Sequence, residues 1–344
     1  MGFGVILSPF ICLNMIDFQK LKKIISDNNS FLLTTHANPD ADAIGSEMAF
    51  FRLLKKLNKK AVILNHSETP YNLQFLDEEK VIRKYNSAER WELINKYDVL
   101  VALDFNRSDR LVSMKESFNA ASCLKICIDH HQDPENFIDE EFIGLDYSAT
   151  GEIIYTFIKK TNIVELDKSL ADPIYAAIMT DTGSFRFERT TADLHLVVAD
   201  LLRYGVDPGK IYDSIYDQSK FSKIKLLGKA LSSIIITPDN QIAYMVLTQN
   251  DFNDVDGIES DTDGFVNHSL SIEKVRLGLL FIELTNGFKV SFRSKGNLPV
   301  NKLAGEFGGG GHINAAGARF HNSNMKEFMP KIINKAQEYI NKYN

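Results

Sequence analysis

Cysteine is scarce in this chain. Three occur in 344 residues, Cys12, Cys123 and Cys127; no C-x-x-C pair is present, and the odd count argues against a disulfide framework. Cys123 and Cys127 share parity in an apolar run, so a strand would turn both thiols to one side as buried, reduced groups. That implies a reducing, cytoplasmic setting. Positive charge is also in deficit, with 39 Lys and Arg against 45 Asp and Glu, a net charge of −6. With no long basic run, general attraction to polyanions is excluded, and any anionic partner needs a local basic pocket. No apolar stretch is long enough to span a bilayer, so no membrane association is expected. The apolar start of the chain contains Pro9 and lacks both a basic leader and an A-x-A-like cleavage site, so residues 1–15 read as an N-terminal extension rather than a signal. Internal repeats and low-complexity tracts are absent.

What is present is enough for two domains, since about 150 residues is a usual domain size. Apolar residues make up 44% and charged residues 24%, so each domain can build a core without covalent staples. Residues 31–36, 60–66, 99–105 and 123–129 are near-continuous apolar runs ending in polar residues, the pattern of parallel strands covered on both faces. Helical spacing marks 16–27, 42–58, 150–160, 168–180 and 192–204. Strands alternating with helices predict an α/β, doubly wound, mainly parallel sheet over residues 16–205. Residues 206–230 read as a helical linker. From 231 to 344 the pattern is that of a smaller α+β domain. It holds a hairpin over 234–248, a second hairpin turning at Asn286-Gly287, a helix near 298–307, a glycine run and a closing helix over 324–342.

Metal-type ligands cluster where the predicted strands end. His36, Asp40 and Asp42 follow the first run, Asp104 ends the third, Asp129, His130 and His131 end the fourth, and Asp181 follows a helical segment. Ligands of open α/β sheets bind outside the carboxyl ends of the strands, so these residues can converge on one crevice. Each has an ordinary explanation alone: Asp42 as a helix cap, Asp104 as a turn residue, His36 as a structural histidine. Those explanations do not account for such a residue at every strand end. Carboxylate and imidazole without thiolate favour Mn²⁺ or Mg²⁺. Pro39 is expected to hold Asn38 extended, Asp42 to cap the helix that follows it, and Gly45 to permit close approach near that helix's first turn.

The segments HANPDADAIGS (36–46), LDFNRSDR (103–110), IDHH (128–131) and TDTGSF (180–185) resemble, in order and spacing, the four motifs of the DHH phosphoesterase superfamily. FGGGGHINAAGARF (307–320) resembles the signature of its DHH-associated C-terminal domain. The two-domain plan is most similar to the bacterial oligoribonuclease and pAp phosphatase (nanoRNase) branch. The resemblance covers roughly residues 30–320 and implies two Mn²⁺ ions, with Mg²⁺ or Co²⁺ as alternatives. His36, Asp40 and Asp104 would hold one ion, Asp42, His130 and Asp181 the other, with Asp104 bridging. His131 would face the scissile phosphate, and Asp129 would fix a histidine tautomer. Two such metals, about 3.5–4 Å apart, can activate a water for in-line displacement at phosphorus.

For the second domain the resemblance favours Arg293 for a terminal phosphate or base, assisted by Ser294, because a guanidinium fork suits that task. Lys289, Ser291, Arg293 and Lys295 share one face of the predicted strand, a local answer to the acidic surface. Gly309, Gly310 and Gly311 can line a phosphate-binding concavity with backbone N–H groups, and His312 stands beside them. A mobile linker is expected to bring this domain over the metal residues, which favours short substrates. The expected activity is hydrolysis of short oligoribonucleotides to mononucleotides and of 3′-phosphoadenosine 5′-phosphate to AMP. The alternative is a phosphodiesterase for cyclic di-AMP or linear dinucleotides. A homodimer is compatible with either.

Overall fold

The computed structural model describes residues 16–89 and 96–343. The expected N-terminal extension, residues 1–15 with Cys12, lies outside them. The chain divides into two compact units, with the boundary between Gln218 and Ser219.

In the first unit, six strands among the described residues form one sheet: β1 (Ser30–Thr35), β2 (Lys60–Asn65), β3 (Ile82–Lys84), β4 (Val99–Leu103), β5 (Leu124–Asp129) and β6 (Glu140–Ile143). Their order is β3-β2-β1-β4-β5-β6, and every neighbouring pair is parallel. The continuous apolar runs are explained by the strand period. Phe31, Leu33, Val99, Val101, Ile126 and Ile128 enter one core, beneath the helices Ala41–Lys56, Thr150–Thr161 and Lys168–Asp181. Leu32, Leu100, Ala102 and Cys127 enter the core on the opposite face, with Leu111, Met114 and Phe118. Cys123 packs against that second core, so the two cysteines do share a side, and both remain thiols. The two outermost strands, β3 and β6, are only three and four residues long and carry exposed positions, which is why no apolar run announced them.

Helix-on-helix contact behind the sheet is close. A Cβ on Gly45 would strike the carbonyl oxygen of Pro173 and lie 3.2 Å from Ala177 Cβ, and one on Gly151 would lie 2.6 Å from the same Ala177 Cβ. Pro173 sits inside its helix without an N–H for the Ser169 carbonyl. Arg52 supplies the missing donor, its Nη1 giving a 2.9 Å bond to Ser169 O.

The predicted linker helix is two helices. Pro208–Tyr216 packs on the first unit through Ile211 and Ile215, and Phe221–Ser232 packs on the second through Leu226 and Ala230. Among the described residues, the second unit has a mixed sheet ordered β11-β12-β10-β9-β8-β7. Its strands are β7 (Ile235–Ile236), β8 (Ile242–Leu247), β9 (Leu277–Leu284), β10 (Gly287–Ser294), β11 (Gly310–His312) and β12 (Ala315–His321). The helix Met325–Lys342 covers one face, packing over Phe288, Val290 and Phe292. The β9–β10 hairpin turns one residue earlier than expected. Leu284 pairs with Gly287, so Thr285 and Asn286 form the turn. Gly287 follows at φ +111°, where a Cβ would collide with the Phe320 carbonyl.

No helix among the described residues is long and apolar enough to cross a membrane. Gly45→Ala should destabilise the protein by about 1–3 kcal/mol through overpacking against the Pro173 backbone. Gly228→Ala, in a helix with nothing within 4 Å of the added methyl, should stabilise it by about 0.5–1 kcal/mol. Urea unfolding of both variants checks this, and a neutral Gly45→Ala would remove the close-approach account.

Candidate metal centre

The strand order reverses between β1 and β4, and the loops leaving those two strands open the crevice where ligands of such sheets bind. From β1 comes His36. Its Nδ1 faces the Ala37 carbonyl at 3.0 Å, an oxygen that can only accept, so Nδ1 carries the proton and Nε2 presents its lone pair. That Nε2 lies 3.5 Å from Asp104 Oδ2. Burial pushes the His36 imidazole below its usual pKa, which favours the neutral ring. Two acceptors therefore face each other.

Asn38 departs from the expected extended geometry and adopts φ +55°. Asparagine tolerates the left-handed region, and two bonds hold the loop there: Asn38 N donates to Ser67 Oγ at 2.9 Å, and Ala37 N to Arg110 O at 2.9 Å. The cap is also redistributed. Asp40, not Asp42, caps its own helix, its Oδ1 accepting from the Asp42 and Ala43 N–H groups at 3.0 and 3.1 Å. Asp42, fully buried, caps a different helix by accepting from Thr150 N at 2.7 Å and Gly151 N at 3.0 Å, and it takes a third bond from Ser46 Oγ. Two positive helix ends thus point at the carboxylates.

Asp104 leaves β4 at φ +65° and is 2% exposed. Thr150 Oγ1 donates to its Oδ1 at 3.0 Å. His130 places Nε2 at 3.2 Å from Asp181 Oδ2, 3.6 Å from Asp42 Oδ2 and 3.6 Å from Asp104 Oδ1. Asp181 is the last residue of its helix, at the negative end of the dipole, where a cation is favoured. His131 and Asp129 sit two residues apart, on one side of the extended chain, and His131 Nδ1 bonds Asp129 Oδ1 at 2.8 Å.

All six predicted ligands come together. The ligand atoms of His36, Asp40 and Asp104 lie within 4.8 Å of one another, as do those of Asp42, His130 and Asp181, and those of Asp104, His130 and His131. Burial is the first cause that pushes Asp104 well above the usual carboxylate range, followed by the charges of Asp42, Asp40, Asp181 and Asp129. Burial, then Asp181, moves Asp42 up to about 6. Burial alone would depress His130, yet the carboxylates of Asp181, Asp42 and Asp129 carry it up to about 9. Among the described residues, the nearest acceptor to the buried His130 Nε2 is Asp181 Oδ2 at 3.2 Å, and their geometry falls short of a regular hydrogen bond. Carboxylates crowded around imidazole nitrogens, with Asp42 and Asp104 buried among them, fit divalent cations, and the oxygen-rich donor set suits a hard ion.

Several residues here carried no signal in the sequence. Thr150 reaches Asp42 and Asp104 only through tertiary packing. Arg189 Nη1 approaches His130 Nδ1 at 3.3 Å and donates to Tyr147 O at 2.9 Å. Asn106, buried, donates to the carbonyls of His131 and Gln132.

In the second unit, β10 alternates as expected, with Lys289, Ser291 and Arg293 on the half-buried face. Arg293 pairs across the sheet with Gly278 and Ala315, and its Nη1 donates to the Phe292 carbonyl. Ser294 is buried; its hydroxyl donates to Leu298 O at 2.6 Å and accepts from Asn314 Nδ2 at 3.0 Å. Gly310, Gly311 and His312 form β11 against β12, all exposed. Gly309 precedes them where a Cβ would overlap the Gly317 carbonyl, so only glycine fits that approach.

A model of the DHH family, N-terminal domain, matches residues 30–178, and one of the DHHA1 domain matches residues 239–342. The bifunctional oligoribonuclease and PAP phosphatase NrnA of Thermus thermophilus is 30% identical over 309 residues, covering 90% of this chain and 89% of that protein. The Bacillus subtilis protein of the same name is 25% identical over 304 residues, 88% of this chain and 93% of its own. A crystal structure of an exopolyphosphatase-related protein from Bacteroides fragilis superposes with a TM-score of 0.88 at 31% identity, over 94% of this chain and 96% of that one.

The raised pKa values set a direction for stability in metal-free protein. Asp42, raised to about 6, holds its proton more tightly when folded, so its contribution is full below about pH 4 and is lost as pH rises through about 6. His130, raised to about 9, loses its contribution between about 6.5 and 9. A divalent cation takes the place of these protons. The Tm gain on adding Mn²⁺ to chelator-treated protein should therefore be larger at about pH 8 than at about pH 5. Equal gains in thermal unfolding at the two values would contradict this electrostatic picture.

Proposed function

Because this chain belongs to the DHH family, with a DHHA1 domain following the first, and is a hydrolase of phosphoester bonds, we propose that it degrades short oligoribonucleotides to mononucleotides and dephosphorylates 3′-phosphoadenosine 5′-phosphate. What supports this reading is similarity along nearly the full length of the Thermus protein, combined with the gathering of His36, Asp40, Asp42, Asp104, His130 and Asp181 into groups that could hold metal ions. Manganese is the proposed cofactor, on the carboxylate-rich donor set. A cytoplasmic setting belongs to the same reading, supported by the thiols of Cys123 and Cys127.

His36, Asp40 and Asp104 would hold one cation, and Asp42, His130 and Asp181 the other, with Asp104 shared. When bound, the cations lower the pKa of a water and clamp the attacking and leaving oxygens of an in-line displacement at phosphorus. The side chains do the rest. Asp129 accepts from His131 Nδ1, so that in the doubly protonated ring Nε2–H is the group that would stabilise the phosphoryl oxygens or give a proton to the leaving group. Thr150 and the N–H groups of residues 150 and 151 keep Asp104 and Asp42 oriented as their charge is neutralised. Arg293 is proposed to bind the terminal phosphate or base. His312 and the glycines 309, 310 and 311 would take phosphate oxygens, and Ser294 would brace the end of β10 through Leu298 and Asn314.

With Mn²⁺ present, turnover should be seen on RNA of two to five residues and on 3′-phosphoadenosine 5′-phosphate, and be far weaker on cyclic di-AMP. Preference for the cyclic dinucleotide would replace the proposed substrate class. Asp104→Ala should abolish turnover on all of them, because both cations lose a ligand; near-normal rates in that variant would refute the shared role. Arg293→Ala should raise KM for short RNA by on the order of 10-fold or more, the worth of a charged hydrogen bond, while leaving KM for bis(p-nitrophenyl) phosphate nearly unchanged.

A further inference from the structure

The segment that follows Asp181 starts and ends on His130. Asp181 Oδ2 lies 3.2 Å from His130 Nε2, and Arg189, at the far end, places Nη1 3.3 Å from His130 Nδ1. Between them the chain folds back on itself. Gly183, Ser184 and Phe185 take successive left-handed conformations, at φ +57°, +59° and +66°. Ser184 N donates to Met179 O at 2.8 Å, and the N–H groups of Arg186 and Phe187 both reach Thr182 O, at 2.9 and 3.0 Å. This tight turn brings the outer end of the Phe187 ring against Gly183. A Cβ on that glycine would lie 2.5, 2.6 and 2.8 Å from three of the ring carbons. Although held there, Phe187 is 57% exposed. Its neighbours in the chain, Arg186 and Glu188, are exposed as well.

We propose that Phe187 is a stacking platform for the nucleobase of the nucleotide whose phosphate occupies the metal centre. This rests on the reading of the substrate as a nucleotide. On an ordinary surface a single exposed phenylalanine calls for no explanation. Here the ring is fixed by a turn with two non-glycine residues, Ser184 and Phe185, in left-handed backbone, a cost of the kind that clusters at ligand sites. Position gives a second argument. Gly183 follows Asp181 by two residues, and two trans peptides span at most about 7 Å. The ring contact is therefore within one nucleotide's reach of a phosphate held beside Asp181. Size gives a third. A stable protein interface covers about 800 Å² on each partner, far more than one ring between exposed charged neighbours. A base needs only the face of one ring. Every base has such a face, so stacking at Phe187 serves RNA of any sequence. It also adds a contact to the base, which the carboxylates and imidazoles of the centre do not provide.

The test compares 3′-phosphoadenosine 5′-phosphate with ribose 3,5-bisphosphate, which carries the same two phosphates and no base. In the full-length protein with Mn²⁺, F187A should lower the ratio of kcat/KM for the two compounds by about 10-fold or more, the loss of one base–aromatic stack. F187L should lower it equally, since it keeps an apolar group against Gly183 and has no aromatic face. F187Y and F187W should hold the ratio within about 3-fold of wild type. A ratio unmoved by both F187A and F187L, or a loss that neither F187Y nor F187W restores, would overturn the proposal. Should F187A fail to fold, F187L carries the comparison. If either compound is not turned over, binding decides, read as tryptophan emission of Mg²⁺-loaded F187W titrated with AMP and with ribose 5-phosphate. Quenching beyond the wild-type response by AMP, and not by ribose 5-phosphate, supports the platform. Quenching by neither, or by both alike, overturns it. Failure to turn over 3′-phosphoadenosine 5′-phosphate itself would sink the substrate reading and leave this binding measurement readable.

Discussion

Repulsion among buried carboxylates is the constraint from which the rest of this molecule follows. Asp42 and Asp104 are almost wholly out of water, Asp40 and Asp181 lie within reach of them, and no Lys or Arg side chain forms an ion pair with these four among the described residues. Such an arrangement is unfavourable unless something positive supplies the compensation. Two helix N-termini, the Thr150 hydroxyl and the His130 ring each give a part. None supplies the double charge that four carboxylates call for. Divalent cations do, and the histidine geometry agrees: His36 gives its proton to a backbone carbonyl and turns a lone pair inward.

The fold is arranged to hold that unfavourable cluster in place. A parallel sheet buried on both faces delivers its strand ends to one edge, and the reversal of order between β1 and β4 opens a crevice there. Helices packed closely enough to exclude a single methyl at Gly45 and Gly151 leave Asp42 no room to swing away. Asp104 and the segment 183–185 adopt left-handed backbone conformations next to the site, the kind of local cost that persists where the surroundings over-determine it. Beyond the end of the β4–β5 ladder, Asn106 donates to the His131 and Gln132 carbonyls, and Glu135 accepts from Ser108.

Much of this was legible from residue order. The four central strands and the helices beside them follow from apolar runs and helical spacing, since buried parallel strands and amphipathic helices leave strong periodic traces. Features that failed to show are those whose cause is not local. The edge strands β3 and β6 are short and partly exposed, so no run marks them. The break at residues 217–220 separates two helices that pack on different units, and one continuous amphipathic pattern cannot reveal which core each half joins. The β9–β10 turn moved by one residue because Gly287 must sit beneath the Phe320 carbonyl, a contact from a strand more than thirty residues away.

For the site, the sequence by itself determined which groups are available: six carboxylates and imidazoles, five following strands and Asp181 ending a helix, a histidine pair after an aspartate, and a glycine run that permits close backbone approach. Those are properties of residue type and spacing, and they are enough to name the chemistry. Only the tertiary structure decided how each group is held. It made Asp42 the cap of a helix more than a hundred residues downstream, gave Asp40 the cap expected of Asp42, set the His36 tautomer through Ala37, and drew Asn106 onto the peptide of His131. The physical reason is one and the same: hydrogen bonds and burial act through space. A pKa raised by neighbouring charge, or a loop fixed by a side chain from another strand, leaves no mark on the order of residues.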